Sequence, residues 1–172
     1  VAEDVAKANE AKKLQLQEKK DAKAEAKAQV AEKQEKDLAG KTAELIEDAT
    51  KSWLDGLDAE PKNLTRADKS WKASEAGLLQ AKRNVEALLK SNDIETLRKA
   101  KELDAAADVI LVKTYYRLGR MWAVELSYPT ALEWLNKATR VPHDAAMDHL
   151  LNEVLLTISQ LKMRERAAGR GY

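Results

Sequence analysis

Apolar residues recur at helical spacing from Leu45 onward. Leu45/Ile46, Ala49, Trp53 and Leu57 form one stripe, which Gly56, Pro61 and Asn63 are expected to stop. A second stripe joins Trp71, Leu78, Ala81, Val85 and Leu88, with Thr65 and Asp68 placed as its capping box. Ser91-Asn92-Asp93 breaks that pattern, and Asn92 with Glu95 offers the next cap. A further helix follows from about Ile94 through Leu97, Ala100 and Leu103; the pattern leaves open whether Asp104 to Asp108 turns or continues it. Residues 145–168 supply a last helix through Met147, Leu150/Leu151, Val154/Leu155, Ile158 and Leu161.

The first forty residues differ. They hold 10 Ala, 9 Lys and 6 Glu, all strong helix formers, with no Pro and no Gly before Gly40. Pairs such as Glu3–Lys7, Glu32–Lys36 and Asp37–Lys41 add i,i+4 support. The few apolar residues (Val1, Val5, Leu14, Leu16, Val30 and Leu38) keep no heptad register, which argues against a tight coiled coil. This stretch reads as a solvated helix or a partly disordered tail.

Composition sharpens the class. Hydrophobic residues make up 44%, much of it alanine, and charged residues 34%, with only six Gly and three Pro. That mixture indicates helices and a modest core. The 30 basic and 29 acidic side chains nearly cancel, and basic runs such as Lys12-Lys13 and Lys19-Lys20 are interleaved with Glu10, Glu18 and Asp21. No concentrated basic surface for nucleic acid is expected. The absence of cysteine removes disulfides, thiolate metal sites and a thiol nucleophile. The longest apolar run, Ala105 to Val112, is interrupted by Asp108 and too short for a membrane span. A start at Val1 and the lack of cysteine point toward an extracytoplasmic bacterial protein, with the cytoplasm as the alternative. The tripeptide Asn63-Leu64-Thr65 matches a glycosylation sequon, a match common by chance.

The most specific signal is Tyr115-x2-Leu118-Gly119-x2-Trp122, then Ala131-x3-Leu135-x2-Ala138, then Pro142. It resembles one tetratricopeptide repeat, a helix–turn–helix unit of about 34 residues with the pattern W-x2-L-G-x2-Y, A-x3-F and P. Tyr115 stands in place of the Trp, Trp122 in place of the Tyr and Leu135 in place of the Phe, while Pro142 falls one residue early. Independently of the family, Gly119 and Ala131 are small enough for two antiparallel helices to cross closely. Tyr115, Trp122 and Tyr128 would fill the wedge between them, and Pro129 suits the first turn of the second helix.

The resemblance implies an all-α fold: tetratricopeptide-like antiparallel helical hairpins with a long N-terminal helical arm. Residues 1–58 would form the arm, amphipathic at its end, and residues 59–172 the hairpin domain, with the repeat at 111–144 and a capping helix at 145–168. It also implies a groove lined by Lys113, Tyr116, Arg120 and Val124, joined by His149 and Glu153 from the next helix. One variant of the family clamps a peptide C-terminal carboxylate with Lys and Asn. Tyr116 and Arg120 occupy two of those places here, so that clamp is not expected.

His149 and Glu153 are spaced to share a metal, but two ligands do not make a site. Asp144 and Asp148 suit the N-terminal end of a helix dipole. No phosphate loop, nucleophile elbow or paired-carboxylate cleft is present. The expected function is a non-catalytic interaction scaffold, a structural or assembly subunit of a hetero- or homo-oligomeric complex that binds other protein subunits or a peptide segment. No cofactor, metal, nucleic acid or membrane span is expected. The alternative is a monomeric peptide-binding adaptor or chaperone; metal-dependent catalysis at His149/Glu153 is a third reading.

Overall fold

The computed structural model describes residues 1–169. The described residues form five α-helices: α1 (Ala2–Ala59), α2 (Leu64–Leu88), α3 (Ile94–Val124), α4 (Tyr128–Arg140) and α5 (Asp148–Gly169), the last preceded by a short 3-10 turn at Ala145–Met147. The chain divides into two compact units inside α1, Val1–Leu38 and Ala39–Tyr172.

The first unit is helix without a core. Every side chain from Val1 to Gln34 is exposed, including Val5, Leu14, Leu16 and Val30. Helix propensity and local pairs such as Lys36–Glu32 at 3.0 Å and Gln17–Asp21 at 3.1 Å account for its secondary structure.

The second unit holds the core. On its part of α1, Thr42, Ile46, Ala49, Gly56 and Ala59 are buried. Helix α2 buries Ala67, Trp71, Ser74, Leu78, Ala81, Val85 and Leu88, a row with one residue per turn. Gly56 does not stop α1, contrary to the expectation from sequence. It lies inside the helix as a seat for Trp71, whose indole rests against the glycine and donates to the Trp53 carbonyl at 3.1 Å. A methyl group at Gly56 would overlap that ring. The helix ends three residues later, just before Pro61.

Two caps are also corrected. Asn63, not Thr65, caps α2, its side chain accepting from the Arg66 N–H at 3.1 Å. Asp93, not Asn92, caps α3, accepting from the Thr96 N–H at 3.1 Å, while Ser91 Oγ accepts from the Asp93 N–H. In each case the chosen residue is the one whose carboxamide or carboxylate reaches the N–H three residues on.

Helix α3 continues through Asp104 to Asp108 without a turn. It runs antiparallel to α2, since Lys82 meets Asp104 and Asp108 while Ser74 meets Thr114 at 3.2 Å. It is also antiparallel to α4, since Gly119 meets Ala131 and Leu135 while Tyr115 meets Trp134. Between α3 and α4 the chain turns over Glu125–Ser127, closed by hydrogen bonds from Leu126 N to Ala123 O and from Ser127 N to Trp122 O. This is the glycine-type helix ending, with Leu126 in the left-handed position at φ 61°.

Candidate functional site

Helix α3 positions everything that follows. At Gly119, a Cβ would stand 2.5 Å from Leu135 Cγ and 3.3 Å from the Ala131 carbonyl oxygen. The absent side chain is therefore what lets α3 and α4 touch. Ala131, Leu135 and Ala138 of α4 are fully buried. Tyr115 is buried too and stacks on Trp134, ring centroids 5.9 Å apart. Burial first, and then the Glu75 carboxylate that accepts from its hydroxyl, raise the Tyr115 pKa well above the ordinary phenol value. Lys137 covers the Trp134 ring at 4.3 Å. Sequence reasoning passed over Trp134. Trp122, by contrast, stands beside the start of α2, lining a cavity of about 310 Å³ with Leu64, Thr65 and Asp68, and its indole N–H has no hydrogen-bond partner among the described residues. Tyr128 is half-buried and Pro142 exposed.

The residues expected to line a groove separate into three places. Lys113 turns to α1, where its ammonium sits 5.3 Å over the Trp53 ring. Tyr116, Arg120 and Val124, a row of i,i+4 neighbours, line an open groove of about 410 Å³ between α3 and α5. The α5 side of that groove is Thr157, Gln160, Leu161 and Arg164. His149 and Glu153 are not among the lining residues; they pair with each other at 3.4 Å on an exposed part of α5. The α5 contribution thus begins a turn beyond Glu153.

Arg120 lies over the Tyr116 ring, 5.6 Å from its centroid. Neither Arg120 nor Arg164 enters an ion pair among the described residues. Arg117 pairs with Glu60 at 3.8 Å and Lys137 with Glu75 at 3.9 Å.

A second polar constellation lies between α2 and α3, and no pattern in the sequence announced it. Lys82 Nζ stands 2.6 Å from Asp104 Oδ1 and 2.6 Å from Asp108 Oδ1. Asp108 is 5% exposed. Burial works against the ammonium of Lys82, but hydrogen bonds and charge from both carboxylates outweigh it and leave its pKa raised. Burial is the leading cause that raises the Asp108 pKa, with Lys82 opposing and Asp104 adding to the rise. Two carboxylates share one cation, and the more buried one bears the cost of desolvation. Cavities of about 270 and 430 Å³ flank Asp108, closed on one side by Pro142.

Among the described residues, no group of three His, Cys, Asp or Glu side chains is arranged to hold a metal ion. No helix of the described residues is long and apolar enough to cross a membrane. No family model, curated protein or solved structure matches this chain.

Proposed function

We propose that this chain is a non-catalytic interaction scaffold, a structural or assembly subunit that binds other proteins through the α3/α5 groove and the N-terminal helix. In this reading α3 and α4 act as a tetratricopeptide-like hairpin. The observation that carries it is the row Tyr116, Arg120 and Val124, lining an open groove on a helix that also packs against α2 and α4. What supports a contact role for the N-terminal helix is its run of exposed side chains from Val1 to Gln34. Tethered purification of the full chain from its source, followed by mass determination of the eluate, tests the proposal. A stoichiometric complex that loses subunits in the Tyr116→Ala and Arg120→Ala variants is the expected result; full retention in both would sink the groove assignment. A lone particle that still binds peptide through the groove would favour the monomeric adaptor instead.

A further inference from the structure

We propose that the cavity between the start of α2 and the end of α3 binds a small neutral molecule through a carboxamide head group, held by the indole N–H of Trp122 and the carboxylate of Asp68. The proposal does not rest on the partner-binding reading, and this cavity shares no lining residue with the α3/α5 groove.

Two unmet hydrogen-bonding atoms carry it. Trp122 Nε1, a donor, and Asp68 Oδ1, an acceptor, are both buried and have no partner among the described residues. Both residues line the same cavity of about 310 Å³. A buried polar atom without a partner is uncommon and costs stability, so a complementary pair at one cavity points to a guest that meets both. Elsewhere in this core the chain meets the same need itself, since the Trp71 N–H donates to the Trp53 carbonyl at 3.1 Å. The Trp53 N–H is unmet as well, but Trp53 does not line this cavity.

The charge of the walls selects the head group. Asp68 and Glu125 are the charged residues of the lining, so an anion is repelled. Lys72 already holds Asp68 Oδ2 at 2.9 Å, so the carboxylate has its cation. An ammonium guest has no lone pair to offer the indole. What remains is a neutral group that accepts from nitrogen and donates to oxygen. A carboxamide does so on two separate atoms, which suits partners that stand on different helices.

The apolar walls describe the rest of the guest. Leu64, Met121 and Trp122 can enclose a hydrocarbon or aromatic body, and Leu64 and Trp122 are packed against the buried Ala67, Trp71 and Leu118. The volume exceeds the roughly 150 Å³ that takes a benzene ring in an apolar cavity. Both polar atoms lie beneath the wall, so binding requires a small turn of each side chain, and Lys72, about half exposed, can follow Asp68.

The test titrates benzamide into the full chain, isotope-labelled at its tryptophans, and follows the four indole signals by NMR. The Trp122 signal is the one missing in Trp122→Phe. A saturable shift is expected, largest at Trp122, with binding weakened roughly tenfold by Trp122→Phe or by Asp68→Leu. Benzoate and benzylamine, tested on the unaltered chain, should bind roughly tenfold more weakly than benzamide or not at all, and this comparison holds even where a variant fails to fold. No shift at Trp122, benzoate or benzylamine binding as tightly as benzamide, or unchanged affinity in either folded variant would each overturn the proposal. So would a Trp122 signal that moves upfield in ligand-free Asp68→Leu, which would show a direct bond between indole and carboxylate.

Discussion

Gly119→Ala is the substitution that most directly probes the contact between α3 and α4. The added methyl would lie 2.5 Å from Leu135 Cγ, 2.6 Å from Leu135 Cδ2 and 3.3 Å from a backbone oxygen of α4. Leu135 is 0% exposed and packed between the helices, so relief of the overlap requires repacking Leu135 or moving the helices apart. Overpacking of a well-filled site costs about 1–3 kcal/mol, and two sub-3 Å approaches place this one near the top of that range. Alanine recovers about 1 kcal/mol through its better helix propensity. The net loss is about 2 kcal/mol, or a fall in Tm of about 5 °C for a chain of this size.

Tryptophan fluorescence during urea unfolding is the appropriate assay. The four tryptophans, at 53, 71, 122 and 134, all lie beyond Leu38, so they report on the unit with the core. Helical ellipticity would mix in the core-less first unit. Leu135→Ala alone should cost about 2–5 kcal/mol. Combined with Gly119→Ala it should cost clearly less than the sum, because the truncated side chain no longer meets the new methyl. A Gly119→Ala protein at least as stable as the parent, or strict additivity in the double variant, would refute the close-contact argument.

Three further outcomes follow from the same geometry. Gly77→Ala should stabilise by about 0.5–1 kcal/mol in the same assay, since its methyl would meet only Ala49 Cβ at 3.6 Å and the Leu45 oxygen at 3.7 Å, ordinary contact distances; a loss of stability would show the α1–α2 contact to be tighter than this. Leu126→Gly should add about 1 kcal/mol by relieving a left-handed backbone at φ 61° while removing a side chain that is 72% exposed, and an unchanged urea midpoint would contradict it. Lys82→Met should cost about 2 kcal/mol at pH 7, discounted for the quarter exposure of the lysine, by leaving Asp104 and Asp108 without their shared cation. The folded-state pKa of Asp108 is raised, so its ionisation costs stability as pH climbs above its ordinary 3.8, and acid lowers that cost by protonating it. The Lys82→Met defect should therefore shrink toward pH 4, and a defect equal at both pH values would refute the pairing.

Local periodicity carried the helices well and the long-range pairings poorly. The buried row of α2 and the small residues at the α3–α4 crossing are both visible as spacing, because each depends on side chains within one helix turn or one hairpin. Asp108 is the opposite case. Inside an apolar run it resembles a break, yet α3 passes through it because Lys82, 26 residues earlier on another helix, answers its charge. Gly56 misled for the same reason: what it accommodates, Trp71, comes from the next helix. The groove was visible only on its α3 side. Which turn of α5 faces α3 depends on where that helix starts after the 3-10 turn at Ala145–Met147, and this offset brings Thr157, Gln160 and Arg164 forward in place of His149 and Glu153.

The openness of the groove follows from how α3 uses its surface. A helix that packs on one neighbour needs a single apolar stripe; α3 meets α2 through Asp108, Thr114 and Leu118 and α4 through Tyr115 and Gly119, and these residues cover adjoining faces. Small side chains on those faces, Thr114 and Gly119, permit two close neighbours at once. The row Tyr116, Arg120 and Val124 advances by four residues per step along a further face, which α5 approaches. Leu161 closes the bottom of that approach and is 2% exposed, while Arg120 and Arg164 stay exposed at the rim. Hydrophobic burial there ends at Leu161, and the two guanidinium groups stand clear of it.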